Sequence, residues 1–139
     1  MNRPFLAVAF RVWLVEILIS GVNYFVLMGL VYEPIWGELR AHQIGMTTRI
    51  IYIFVLAWLL QRSGPDHNQR DLIHVGALWL VSVLIFEWGG SLLLQHRPVH
   101  EILVGWQVWN GYMWPYVLLA YLFANPIVGV ARTRLRAAG

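Results

Sequence analysis

No cysteine occurs in the 139 residues. That excludes disulfides, thiolate metal sites and thiol catalysis, and it leaves the redox compartment open. Lysine is missing too: all ten basic residues are arginine. We read this as compositional bias, although a planar guanidinium suits buried pairing better than an ammonium does. Charge of either sign is scarce, 12% of residues against roughly 25% in a soluble domain. There is no glycine-rich phosphate loop, no internal repeat and no low-complexity stretch. No Ser–His–Asp set is visible, since the serines within apolar runs are Ser20, Ser82 and Ser91. The sequence therefore argues more against an enzyme than for one.

Apolar residues make up the balance. They account for 59% of the chain, and the mean hydropathy is +0.60. A chain this short and this apolar would be insoluble as a globule, so its expected solvent is lipid. Eight tryptophans and six tyrosines suit a protein that crosses two membrane interfaces, where amphipathic rings settle. The net charge of +3 comes partly from an arginine-rich tail. It reads as a topology signal, and no nucleic-acid partner is expected, because no basic face remains once the apolar runs are set aside.

Four runs have the length of membrane spans, about 20 residues for ~30 Å of hydrocarbon. The first covers residues 5–31, with Arg11 near its start and Glu16 in its middle. Arg3 ahead of an apolar run gives the outline of a signal peptide. The run is too long for one, Glu16 interrupts it and no small-residue cleavage site follows, so a retained span is expected. A polar connection over 32–43 is punctuated by Pro34 and Gly37, with Trp36 placed to anchor it. The second span, 44–60, is short and carries Arg49 about a turn from its start. Ser63-Gly64-Pro65 makes a turn, and Asp71 sits where a carboxylate favours the next helix N-terminus. The third span covers 72–94. After Arg97-Pro98 we expect a short interfacial helix; the alternative is a last span beginning at Ile102. We place the fourth span at 110–131, with Pro115 in its first turn and Asn125-Pro126 as a candidate kink. The expected fold is all-α, a single transmembrane domain forming a four-helix bundle.

Ionisable residues inside a span are expensive and are functional-site candidates by default. At about 1.5 Å of rise per residue, Glu16 lies roughly 15 Å from the face carrying the termini, and Glu87 and Arg49 each roughly 20 Å. Asn23 follows Glu16 by two helical turns, with Ser20 between them on the same face. Glu87, Arg49, Glu16 and Asn23 can thus meet as one buried cluster, in which we expect Arg49 within salt-bridge reach of Glu87. The bland reading is a static clasp that sets helix register. The sharper one notes that two carboxylates and one arginine leave a carboxylate over, able to carry a proton, bind a cation or hold a polar head group. Arg11 is close enough to the surface to snorkel.

Trp79, Trp88, Trp106, Trp109 and Trp114 crowd the third and fourth spans and the outer interface. They form an interface belt and packing, or else an aromatic face for a lipid, a quinone or a larger complex. The histidines make no single site. His67 and His74 lie toward the side of the termini, while His42, His96 and His100 lie toward the other. No pair of them faces another at matched depth, as a haem would need, and Pro98 interrupts the His96–His100 spacing, so no metal or haem cofactor is assigned.

The segments WLVEILISG, GELRAHQIGMTTR and GALWLVSVLIFEWGG, taken together, resemble a family of small bacterial four-span membrane proteins without an established function. The sharpest points are Glu16, Gly37, Gln43, Ile44, Gly45, Trp79, Phe86, Glu87 and Trp114. The chain departs from the pattern in EWGG after Phe86 and in Val99-His100-Glu101. The resemblance covers most of the chain, implies the four-span fold and the bacterial cytoplasmic membrane, singles out Glu16 and Glu87, and supplies no chemistry.

The first expectation for function is a structural or accessory subunit, or a self-associating bundle, with membrane lipids, copies of itself or a larger membrane complex as partners. The rivals are a proton- or ion-linked transporter or channel, and a lipid- or quinone-binding protein, each using Glu87, Glu16 and Arg49. Arg3, Arg62, Arg70, Arg132, Arg134 and Arg136 lie on one side of the spans and only Arg40 and Arg97 on the other. The positive-inside rule then predicts that both termini are cytoplasmic. Alkaline phosphatase fused after Gly139 should be inactive, and an active fusion would overturn the topology.

Overall fold

The computed structural model describes residues 2–138. All regular structure among them is helical. Four helices are long and apolar enough to cross a membrane: α1 (Arg3–Trp36), α2 (Glu38–Ser63), α3 (Gln69–Leu94) and α5 (Trp114–Ala138). A short α4 (Val99–Val104) and a 3₁₀ turn at Val108–Asn110 separate the last two.

The helices outlast the apolar runs that foretold them. Helix α1 continues through the supposed connection to Trp36, and α2 starts at Glu38. Gly37 alone makes the reversal, at φ 87°, a conformation that glycine adopts without steric cost. The last helix begins at Trp114, beyond the expected Asn110, because Gly111 at φ 90° and the 3₁₀ turn occupy the intervening residues. Pro115 lies in its first turn. Val99–Val104 forms its own short helix, set off from α5 by Gly105 and the turn after it.

The other end of the bundle is tied by polar side chains. Asn68 and Asp71 form a reciprocal capping box at the start of α3. Asn2 caps α1 through Phe5 N and donates to Asp66 O at 2.8 Å and to Asp71 Oδ2 at 3.0 Å. The Phe5 ring stacks on His67, with centroids 4.4 Å apart.

Around the core, α1 neighbours α2 and α3, and α5 neighbours α2 and α3, so that α2 and α3 face each other across the diagonal. The core holds Phe5, Ala9, Trp13, Ile53, Val75, Trp79, Val117 and Tyr121. Trp79, fully buried, donates its indole N–H to Ala9 O at 3.0 Å and locks α3 to α1.

The closest approach is between α3 and α5. Pro126 lies inside α5 and has no N–H, so it frees the carbonyl one turn back, at Leu122. That carbonyl points at Gly76: a Cβ built there would lie 2.1 Å from Leu122 O. Proline and glycine therefore act as a pair, the one exposing a carbonyl and the other admitting it against a bare Cα as a weak C–H···O contact. Gln61 and Gln69 cover the neighbouring carbonyls of Asn125 and Pro126, each at 3.0 Å.

Gly76→Val is expected to cost about 1–3 kcal/mol, as overpacking does. At Gly89, where an added Cβ meets nothing within 4 Å, alanine should be neutral or slightly stabilising. Thermal unfolding of both variants checks this, and equal behaviour would contradict the close contact.

Candidate functional site

Glu16 sits mid-way along α1 with 1% of its surface exposed. Three donors converge on it. Arg49 Nε of α2 reaches its Oε1 at 3.2 Å, Tyr121 OH of α5 donates to its Oε2 at 2.6 Å, and Ser20 Oγ, one turn on in α1, donates to its Oε1 at 2.6 Å. Ser20 has one hydrogen and gives it to Glu16, so the 2.6 Å bond between Ser20 and Tyr52 has Tyr52 as its donor. Tyr121 also accepts from Arg49, from Nε at 3.1 Å and Nη2 at 2.5 Å. One carboxylate thus joins three helices, with all its partners buried or half-buried.

The sequence placed Arg49 and Glu87 at one level, with Glu16 within a turn of it, and Arg49 within reach of Glu87. Instead, the ion pair of Arg49 is with Glu16. Glu87 is half-buried and accepts from the indole Nε1 of Trp114 at 2.7 Å. Depth along a helix fixes a level but not a direction, and the packing order turns Arg49 toward α1. Trp114 links the two groups all the same, for the Arg49 guanidinium lies over its ring, 5.0 Å from the centroid, and 5.4 Å from that of Tyr121. Asn23 is buried at the edge of this network beside Tyr52 and donates to Gly45 O at 3.0 Å.

Tyr121 and Tyr52 were the residues that sequence reasoning overlooked. Both left a signal. Tyr121 lies two turns after Trp114 on one face of α5, and Tyr52 follows Arg49 by three residues on α2.

A cleft of about 930 Å³ opens beside the network. It exists because α1 meets α3 only along its first part, whereas beyond Val22 its continuation packs on α2 instead. Both diverging ends wind as π-helix, Asn23–Tyr32 and Gly90–Leu94, and such wide turns often mark functional sites. One wall is Ile17, Gly21, Tyr24 and Phe25 of α1; the other is Val83, Phe86, Glu87 and Ser91 of α3. Arg49, Met46 and Trp114 lie at its inner end, and Glu33, Glu38, Arg97 and Glu101 line it too. A Cβ added at Gly21 or Gly90 would meet nothing within 4 Å, so these walls face open space.

The five tryptophans do not form one face. Trp79 is core, Trp88 and Trp106 are half-buried, Trp109 is 77% exposed, and Trp114 alone of the five lines the cleft. His42 is tied to the turn before α5, accepting from Met113 N at 3.0 Å, while His96 and His100 are exposed. Among the described residues no three His, Asp or Glu side chains converge as a metal site would require.

Compared with known proteins, the chain matches no family model, no curated protein and no solved structure.

The two carboxylates should respond differently to neutralisation. Glu16→Gln and Arg49→Ala each break a buried pair and should cost on the order of 3–5 kcal/mol. Glu87→Gln keeps an acceptor for one neutral donor and should cost less than about 1 kcal/mol. Thermal unfolding in mild detergent ranks them, and equal losses at positions 16 and 87 would contradict this division.

Proposed function

We propose that the protein is a multi-pass protein of the bacterial cytoplasmic membrane, both termini cytoplasmic, that holds an amphipathic membrane ligand, a lipid or a quinone, in the cleft between α1 and α3. Helices of 26 residues such as α2 and α3 are about 39 Å long at 1.5 Å per residue, enough to cross ~30 Å of hydrocarbon with some tilt. In this reading the short α4 lies along the outer interface beside the mouth of the cleft. The observation that carries the proposal is the cleft itself: apolar side chains of α1 and α3 beside the polar groups Arg49, Glu87 and Ser91, with further charged groups, Glu33, Glu38, Arg97 and Glu101, along its lining, are the make-up of a site for an amphipathic molecule.

Conduction has less support. On the side of the network away from the cleft, the core is filled by Trp79, Ile53, Val75, Val117 and Phe5, all essentially unexposed, and the buried Gln61 and Asn125 beyond them bond to each other. The network around Glu16 serves as the scaffold, holding three helices together while α1 and α3 part beyond it. A second reading, a self-associating bundle or an accessory subunit of a larger complex, draws support from the outer faces. Leu18, Leu30, Ile85, Leu93 and Leu94 are all more than two-thirds exposed, and a partner helix could cover them as readily as lipid.

Native mass spectrometry of protein extracted in mild detergent tests both readings. We expect a retained lipid or quinone on the native chain and its loss from Gly90→Leu and Gly21→Leu. Both variants should fold, because the added side chains enter open space. Retention unchanged in both would exclude the cleft as the site, and an obligate oligomer without ligand would favour the second reading.

A further inference from the structure

The charge of the cleft says more about its occupant. Four carboxylates line it, Glu33, Glu38, Glu87 and Glu101, against two guanidiniums, Arg49 and Arg97. Neither guanidinium is free. Arg49 is paired with Glu16, and Arg97 Nε lies 3.9 Å from Glu101. Among the described residues Glu33, Glu38 and Glu87 make no ion pair of their own, although Arg49 and Arg97 lie near enough to act on Glu87, the deepest of the three.

Two further features point to a ligand. Glu87 accepts one hydrogen bond, on Oε2, and its Oε1 has no donor among the described residues. Ser91, one turn further along α3, is 7% exposed and lines the cleft. Its hydroxyl has no hydrogen-bond partner among the described residues, and it is not among the occluded polar atoms, so it opens into the cleft. A half-buried carboxylate and a buried free hydroxyl, one turn apart on α3, form a setting for a positive charge, and Phe86 lines the cleft beside them. Beyond them Ile17, Val83 and Leu94 offer apolar surface for a chain.

We infer that the cleft selects an amphipathic ammonium: an alkyl or acyl chain whose cationic head sits at Glu87 and Ser91. The inference rests on the cleft being a ligand site and adds the charge of the ligand. Two sources share this chemistry, an ethanolamine-headed phospholipid and a free long-chain amine. Arg49 bears on the difference, since its Nη1 makes no hydrogen bond within the described residues and would meet the phosphate of the former.

The test uses the full chain in a neutral detergent, equilibrated at equal mole fraction with dodecylammonium, dodecanol or dodecanoate, with adducts counted by native mass spectrometry. Dioleoyl phosphatidylethanolamine and dioleoyl phosphatidylglycerol form a second set of probes. Dodecylammonium should be retained at least tenfold more than dodecanoate, and Glu87→Gln should reduce its binding to the level of dodecanol. Gly90→Leu should exclude every probe alike, which ties binding to the cleft. Preference for the ethanolamine lipid as well identifies a lipid head group, whereas preference for dodecylammonium alone identifies a free amine; either supports the inference. Equal retention of dodecanol or dodecanoate, or an ammonium preference that survives Glu87→Gln, overturns it. If dodecylammonium, dodecanol and dodecanoate bind without charge preference, the cleft remains a ligand site and the ammonium inference fails. If no probe binds, the cleft reading itself fails.

Discussion

The carboxylate of Glu16 is the point on which the bundle turns. It sits in the core among three donors from three helices, and each helix is held there by what its own side chain needs. Arg49 cannot leave without exposing a buried carboxylate, and Glu16 cannot leave without stranding a buried guanidinium. Tyr121 occupies both roles at once, accepting from Arg49 and donating to Glu16. Such an arrangement is costly to assemble in an apolar medium and costly to break once assembled. It specifies one relative placement of α1, α2 and α5 where apolar packing alone would tolerate several.

With three helices fixed at that level, the fourth is left to pack on its neighbours, and α3 does so unevenly. Its first half is clamped, by Trp79 to Ala9 of α1 and by Gly76 to the exposed carbonyl of Leu122 in α5. Its second half keeps α5, through the bond from Trp114 to Glu87, and touches α1 only by the edge-on contact of Phe86 with Trp13, centroids 6.3 Å apart, among the described residues. The C-terminal part of α1 meanwhile leans on α2, where Asn23 reaches the carbonyl of Gly45. The cleft is the consequence of these two commitments. Its open glycines, Gly21 and Gly90, add no side chain to close it.

The same division separates the two buried acids by role. Glu16 is engaged on both oxygens by its donors. Glu87 lines the cleft, with Trp114 as its one hydrogen-bond partner among the described residues. A charge pair holding the scaffold and a lone carboxylate facing a cavity are different devices, although in the sequence both appear as a glutamate inside an apolar run.

Much of this was legible in the residues. Apolar runs longer than a soluble core requires marked the four long helices, because backbone polar groups in such runs are satisfied only within a helix. Helical rise gave the shared level of Arg49 and Glu87 with Glu16 within a turn of it, and simple counting left one carboxylate without a cation. Pro98 foretold that the segment ahead of the last helix would stand apart from it. Three things were decided only by tertiary structure. Which glutamate Arg49 takes depends on azimuth and on the order of helices around the core, and neither is encoded in distance along the chain. That Tyr121 completes the pair depends on α5 lying beside α2, a contact between residues 72 apart. The cleft depends on where two helices part, and parting is a property of how both are held by their other neighbours, with no local signature in either.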